Sequence, residues 1–260
     1  MLRTAFSRQA LLSSRTNSLA ARSMLLRRLL HIETLTTPND NALKYLSKDG
    51  ELFQPRGSKS IVVKNTDKTL LEHSKLADTL FVQCPGVETV MIGDDFLTVN
   101  KDSMVHWNQI TPTVIEILTA HLSSGAEAVS PEFKGVQEEK DGGYNINIPK
   151  FEYTEEEEEI SELIDELIDT RIRPAILDDG GDIDYRGWDP KTGTVYLKLQ
   201  GACTSCSSSE VTLKYGIESM LKHYVDEVNE VIQVIDPEQQ VALKEFDKLE
   251  KKLSEKEGSK

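Results

Sequence analysis

The sequence lacks any run of about 20 consecutive apolar residues, the length that a membrane-spanning helix needs. This excludes an integral membrane protein of the helical type. The chain also has only three cysteines, too few for a disulfide-dense secreted scaffold. Their odd number indicates a reducing compartment, in which the thiols have another role. With 15 glycines added to the 38% of hydrophobic residues, the apolar share of about 44% is slightly below that of globular proteins, so we expect part of the chain to be unpacked.

Basic side chains are scarce beyond the beginning of the chain. The net charge is −14 at pH 7, and this argues against nucleic acid as a partner, since duplex binding depends on Lys and Arg facing phosphates. Residues 1–32 contain six arginines and no acidic residue, whereas the remaining residues carry 24 basic and 44 acidic side chains, a net charge of −20. The basic residues 1–32 and the acidic remainder therefore differ in function.

The arginine-rich start has the composition of a mitochondrial transit peptide. It is also rich in serine, and it can form an amphipathic helix. A secretory signal would need an uninterrupted apolar stretch of about 7–15 residues, and here arginine interrupts every run. We therefore assign 1–30 as a transit peptide, with cleavage somewhere after Arg22 to Arg28, and expect a protein of the mitochondrial matrix.

Two small α+β domains, joined by a flexible linker, are predicted from the patterning of the rest. The first, 31–124, has a strand at 42–46, a helix capped by Ser74, two strands at 87–92 and 96–100, and a helix that begins at Thr111-Pro112. That last helix should turn Val114, Ile117, Leu118 and His121 to one side. Residues 125–152 gather Ser, Gly, Pro, Lys and Glu without periodicity, which indicates a linker.

The second domain, 153–235, has the predicted order helix, strand, strand, helix, strand. Thr154 and Glu157 form a capping-box pair, and Pro174 is expected to end the first helix. The hydrophobic stripe of that helix, at helical spacing, consists of Ile160, Leu163, Ile164, Leu167, Ile168 and Ile172. Strands follow at 183–188 and 194–200. The next helix should turn inward Leu213, Ile217, Met220, Leu221 and Tyr224. A last strand is predicted within 228–234, and a charged helical tail at 236–260.

Cys203 and Cys206 are the one pair of cysteines with the spacing of metal ligands. Two intervening residues let both sulfurs point to one side of a tight loop. This loop lies between a predicted strand and a predicted helix, where free backbone N–H groups and the helix dipole favour thiolate, the form that binds metal.

The segment 178–181 contains two aspartates, whose carboxylates would repel a phosphate. It is therefore interpreted as a turn and not as a phosphate-binding loop.

Two thiolates are half of the usual ligand set. A tetrahedral zinc site or an iron–sulfur cluster generally takes four protein ligands. Cys84 lies in the first domain and is interpreted as a small buried hydrophobe, and His223 as a surface residue. Two ligands per chain suffice if two chains share one cluster, which predicts a homodimer or a higher oligomer. Such a cluster would be exposed and easily transferred to another protein.

Three competing hypotheses remain open from the residues alone. A CxxC between strand and helix also fits a thioredoxin-like dithiol oxidoreductase, but thioredoxins have a βαβ unit before the motif and a cis-proline strand after it. Here a hairpin precedes Cys203, and the first later proline is Pro237, after the last strand. The second hypothesis is a structural zinc clip, and the third is a pair of chemically inert cysteines.

The segment around the cysteines, Gly201-Ala202-Cys203-Thr204-Ser205-Cys206-Ser207-Ser208-Ser209, with Gly180-Gly181-Asp182 before the hairpin, closely resembles the C-terminal domain of NifU-like (Nfu-type) iron–sulfur cluster proteins. The first domain is similar to the N-terminal domain of the mitochondrial members of that family. That similarity is carried by 37–44 and 93–99. Together the resemblance covers about 31–235.

The resemblance implies a cluster carrier or late scaffold rather than an enzyme. Such a protein binds a [4Fe–4S] cluster and transfers it to matrix apoproteins, lipoyl synthase and aconitase-type enzymes among them, in contact with other iron–sulfur assembly factors. Cys203 and Cys206 match the family's ligands residue by residue. The ligand count alone does not choose between [4Fe–4S] and [2Fe–2S].

Overall fold

A computed structural model describes residues 30–130, 151–204 and 207–234. The predicted transit peptide, most of the predicted linker, Cys206 and the charged tail lie outside the described residues. The described part is α+β, as predicted, and contains two sheets, one of five strands and one of three. No helix among the described residues is long and apolar enough to cross a membrane.

The first sheet is antiparallel throughout, with the strand order β1-β2-β5-β4-β3. Its strands are β1 Ile32–Thr36, β2 Ala42–Ser47, β3 Ile61–Lys64, β4 Val87–Ile92 and β5 Phe96–Lys101. The predictions of β2, β4 and β5 are confirmed. The strands β1 and β3, at the two edges, had no counterpart in the sequence prediction.

Helices cover one face of this sheet. They are α1 Lys68–Leu71, α2 Lys75–Gln83 and α3 Trp107–Ser124. Ser74 caps α2 as predicted, and its hydroxyl accepts a hydrogen bond from the Ala77 N–H at 3.2 Å. The core between sheet and helices contains Tyr45, Leu80, Val90, Val99 and Leu118, all buried. The predicted inward face of α3 is confirmed for its three aliphatic residues.

The predicted start of α3 at Thr111-Pro112 is wrong. The helix begins at Trp107, and Pro112 lies within it. His106 precedes the first turn, and its backbone N–H donates to Gln109 Oε1 at 3.4 Å. Proline is favoured at a first helical position because it lacks an N–H, but α3 begins five residues before Pro112. At this earlier start the Trp107 indole N–H donates to the Asp40 carbonyl at 2.9 Å.

The helical segment that opens the second unit is longer than predicted. It consists of α4 Glu155–Leu167, a π-helical turn Ile168–Ile172 and α5 Arg173–Asp178. The Thr154–Glu157 capping box is confirmed. Pro174 does not end the segment, because it lies in the first turn of α5, where a missing N–H leaves no hydrogen bond unmade. Leu163 is 44% exposed and does not belong to the buried stripe.

The second sheet has the order β6-β7-β8. Its strands β6 Gly181–Asp189 and β7 Thr194–Gly201 form the predicted hairpin. The helix α6 Ser207–Tyr224 then leads to β8 Glu230–Gln233, which pairs with β7 in parallel. In α6, Ile217 and Leu221 are buried as predicted, but Met220 and Tyr224 are 39% and 51% exposed, because one small sheet covers only a narrow stripe of the helix.

His121 predicts a pH dependence of stability. Its ring packs against Phe53, and its Nε2 atom is buried without a hydrogen-bond partner. Burial lowers the pKa of His121 below its usual 6.5. The unfolded chain therefore binds a proton at higher pH than the folded chain, so the free energy of unfolding falls as pH drops below about 6.5. The Tm of the wild type should therefore fall between pH 7.5 and pH 5.5. The Tm of His121→Leu should fall by roughly 2–4 °C less over the same range.

The matched control for this measurement is His223→Leu, since His223 is exposed. Its Tm should depend on pH as that of the wild type does. Identical pH dependence in all three proteins would show that His121 takes up its proton equally well in the folded chain.

Candidate functional site

Cys203 lies between a strand and a helix, as predicted. Strand β7 ends at Gly201, a single 3-10 turn spans Ala202–Thr204, and α6 begins at Ser207. We call 201–204 the cysteine turn. Because it precedes the first turn of an 18-residue helix, the backbone around it carries N–H groups without an intrahelical partner and the positive end of the helix dipole.

Glycines shape the backbone beneath the cysteine turn. Gly180 and Gly201 have φ values of +77° and +68°, a region that other residues adopt at a cost. Gly181 pairs with Gly201 across the β6–β7 ladder, and the Ala202 N–H donates to the Gly180 carbonyl at 3.2 Å. The predicted turn at 178–181 is confirmed for Asp179 and Gly180 only, because Asp178 still belongs to α5 and Gly181 already begins β6.

The Cys203 thiol is half-buried and packs at the border of the second hydrophobic core. Its Sγ atom lies directly over Gly181, so closely that a methyl group at Gly181 would overlap it. Gly181 is therefore required for the present position of the sulfur. This requirement follows from the register of the hairpin, which places residues 181 and 201 opposite each other.

The remaining candidate ligands have surroundings that differ from those of the cysteine turn. Cys84 is 1% exposed within the first core, and burial raises the pKa of its thiol, which confirms the prediction of a buried hydrophobe. His223 is exposed, as predicted, with its ring against Tyr224. Cys206, the second predicted ligand, lies outside the described residues. Within the described ranges, no three His, Cys, Asp or Glu side chains converge as a metal site would require.

Two asparagines of the first domain hold the cysteine turn, a contact that the sequence analysis missed. Asn100 donates from Nδ2 to the Gly201 carbonyl, and Asn39 donates from Nδ2 to the Ala202 carbonyl, each at 3.0 Å. Met91 packs against Gly201. Strand β5 alternates the apolar Leu97 and Val99 with the polar Thr98 and Asn100, the pattern of a strand with one face toward solvent, so no local signal indicated that Asn100 is buried.

A buried ion pair lies beside the turn. Asp182 follows Gly181, and its side chain is 5% exposed. Arg173 donates from Nε and Nη2 to its two carboxylate oxygens at 2.8 and 3.3 Å. The pair links α5 to the start of β6, so it fixes the strand end over which Cys203 lies. Burial opposes the charge of Arg173, but the hydrogen bonds and charges of Asp182 and Asp169 together outweigh this effect and raise the pKa of Arg173.

Sequence models of two families match the chain. The model described as "Scaffold protein Nfu/NifU N terminal" matches residues 32–125, and the model described as "NifU-like domain" matches residues 164–232. The first match covers the five-stranded sheet with its helices. The second includes both predicted ligands.

Curated relatives match nearly the whole chain. The chain is 76% identical to the NifU-like protein, mitochondrial, of Saccharomyces cerevisiae, over 87% of this chain and 89% of that protein. It is 42% identical to the NifU-like protein C1709.19c of Schizosaccharomyces pombe, over 97% of this chain and 92% of that protein. It is 35% identical to the mitochondrial NFU1 iron-sulfur cluster scaffold homolog of Drosophila virilis, over 97% of this chain and 78% of that protein. The chain belongs to the NifU-like family of mitochondrial proteins.

Proposed function

We propose that this protein is a carrier and late scaffold that binds a [4Fe–4S] cluster between two chains and passes it to apoproteins of the mitochondrial matrix. In this proposal Cys203 and Cys206 of each chain are the ligands. The observation that carries it is the place of Cys203, in a glycine-shaped turn between a strand and the start of α6. The names of relatives such as the Drosophila virilis scaffold homolog support the same role.

The chemistry of the turn suits thiolate ligands. A helix N-terminus favours thiolate over thiol close to it, and thiolate is the form that binds iron. The buried thiol of Cys84 has the opposite environment, since burial raises its pKa. Two ligands in one turn leave half of the iron sites of a cluster for a second chain.

Transfer in this proposal is ligand exchange. A client thiol loses its proton and forms an Fe–S bond, while the bond from iron to Cys203 or Cys206 breaks and that sulfur takes up a proton. No electron is transferred, and neither a nucleotide nor a catalytic residue is needed. The clients are apoproteins with three or four preorganised cysteines, of which lipoyl synthase and aconitase-type enzymes are examples.

Anaerobic reconstitution tests the ligand count. We expect about four iron and four sulfide per two chains, with the Mössbauer spectrum of a [4Fe–4S] cluster, because each chain supplies two of the four cysteine ligands. Cys84→Ser should leave this stoichiometry unchanged, since Cys84 is buried in the first core.

Two results would contradict the proposal. One zinc per chain without sulfide would indicate a structural clip. Reduction of insulin disulfides by the cluster-free protein, lost in Cys203→Ser, would indicate a dithiol oxidoreductase acting through a thiol of low pKa.

A further inference from the structure

The face of the first sheet that lies opposite its helices is buried although it is largely polar. Thr98 of β5 lies between Lys44 of β2 and Met91 of β4, and Asn100 is the next residue of β5 on the same face of the sheet. We call these four residues the outer face. Their exposed fractions are 1% for Met91 and Thr98, 3% for Asn100 and 7% for Lys44. Polar groups are buried this deeply in a sheet when another part of the protein supplies their partners.

The second domain supplies partners for Lys44 and Asn100, whereas the Thr98 hydroxyl has no hydrogen-bond partner among the described residues. The consecutive carbonyl groups of Gly201 and Ala202 accept hydrogen bonds from Asn100 and Asn39 at 3.0 Å. The Asn39 side chain is also held at its other end, because its Oδ1 atom accepts from the Asn41 N–H at 2.9 Å. The two amide groups are thus directed at the backbone that carries Cys203.

Lys44 makes a third contact between the domains. Its Nζ atom donates to the Leu177 carbonyl at 2.8 Å, near the end of α5, and lies 4.4 Å from the centre of the Phe96 ring. Burial lowers the pKa of Lys44, and the nearby carboxylates of Asp178 and Asp179 oppose this effect. A buried lysine is costly unless it is paired, so this side chain fits a face that is covered rather than open.

Further contacts join the domains at the edge of this surface. The Ser60 N–H donates to Asp182 Oδ2 at 3.3 Å, and Lys59 pairs with Asp184 at 3.2 Å. Gly180 packs on Thr37 and Thr98, where a side chain would be crowded. The covered area therefore reaches from the cysteine turn along the first residues of β6.

The geometry points to a docking function for the first domain: its outer face, together with Asn39, is a binding surface for the chain's own cysteine turn, and it competes with a second chain for that turn. In the cluster-free chain the turn is docked and the Cys203 thiol is half-buried over Gly181. The proposed competition means that the turn leaves this surface before it shares a cluster with a second chain. The docking rests on the contacts alone, whereas the competition also rests on the proposed function.

The test is the rate at which Cys203 of the reduced, cluster-free full chain reacts with N-ethylmaleimide, followed by peptide mass spectrometry. The variant is Asn39→Asp/Asn100→Asp, which preserves side-chain size and the acceptor for Asn41 but replaces each amide donor by a carboxylate facing a carbonyl. We expect the reaction at Cys203 to be about tenfold faster, because two hydrogen bonds between the domains are lost, and the radius of gyration from small-angle scattering to increase.

The control with matched charge is Asn65→Asp/Asn229→Asp. Asn65 donates to the Val87 carbonyl and Asn229 to the Thr192 carbonyl, each within one domain. This control should react at the wild-type rate. Equal rates at Cys203 in the wild type, the variant and the control would overturn the docking surface, and so would a chain that expands without any change at Cys203.

Two further measurements complete the test. If circular dichroism shows that the double variant does not fold, Asn39→Asp alone, in a turn outside the strands, takes its place with an expected increase of about threefold. The initial rate of anaerobic cluster loading should rise together with the reaction at Cys203, and an unchanged loading rate would overturn the competition. A wild-type chain that binds no cluster at all would contradict the proposed function, while the maleimide result on the cluster-free chain would still decide the docking.

Discussion

Replacing Cys203 by alanine is expected to reduce the iron and sulfide content after anaerobic reconstitution to background. The reason is the ligand count of the proposed shared cluster: the substitution removes one thiolate from each chain, so a dimer retains two of the four ligands. Cys206→Ala should have the same effect. The measurement is the iron and sulfide stoichiometry, and the circular dichroism spectrum should remain that of the wild type because Cys203 is at the border of the core rather than within it.

The same variants test the transfer. Wild-type protein that carries a cluster should activate an aconitase-type apoprotein with an iron chelator in solution, and it should return to a lower oligomeric state as the client gains activity. The Cys203→Ala protein should give no activation, whereas Cys84→Ser should act like the wild type. Complete inhibition of wild-type activation by the chelator would mean that iron passes through free solution, which contradicts direct transfer.

Patterns within one element were sufficient to predict most of the secondary structure. The alternation of Val195, Leu197 and Leu199 predicted β7, and these three side chains are buried. The capping pair Thr154 and Glu157 fixed the start of α4. Such signals are local, since hydrogen bonds and hydrophobic periodicity within a few residues determine them.

The two errors at prolines have a common physical cause. Proline is compatible with the first turn of a helix, but its presence alone does not determine whether a helix begins or ends at that residue. Pro174 lies in the first turn of α5, directly after a π-helical turn has shifted the hydrogen bonding. Pro112 lies inside α3, whose first residue, Trp107, donates a hydrogen bond to a residue 67 positions away.

The contacts that hold the cysteine turn could not be predicted from the sequence. Asn39 and Ala202 are separated by 163 positions, and Asn100 and Gly201 by 101. No local pattern links an amide in one domain to a carbonyl in the other. The edge strands β1 and β3 were missed for a related reason. Each pairs on one side only, and α1 and α2 lie between β3 and its partner β4.

Gly181→Ala is expected to lower the free energy of unfolding by about 1–3 kcal/mol, the usual cost of overpacking a filled site. The new methyl group would overlap Cys203 Sγ, and its two next neighbours, the Gln200 carbonyl and Ile176 Cγ2, would each lie at 3.2 Å. The backbone at Gly181 is not in the left-handed region, so the overlap with the sulfur is the main conflict. Urea denaturation measures the change. Gly216→Ala is the matched control, since Gly216 lies in α6 with no atom within 4 Å of the added methyl group, and it should stabilise the chain by about 0.5–1 kcal/mol.

A double-mutant cycle then assigns the loss to the contact between Gly181 and Cys203. In the Cys203→Ala background the sulfur is absent, so Gly181→Ala should cost much less than it does in the wild type, and the two substitutions should be non-additive by at least about 1 kcal/mol. The amount of cluster that Gly181→Ala binds should fall about tenfold, because the added methyl group displaces the Cys203 thiol from its position in the turn. Additive costs in the cycle would contradict the position of Cys203 Sγ over Gly181. In that case the destabilisation would come from the crowding against Gln200 and Ile176, and the position of Cys203, the proposed ligand, would not depend on a glycine at position 181.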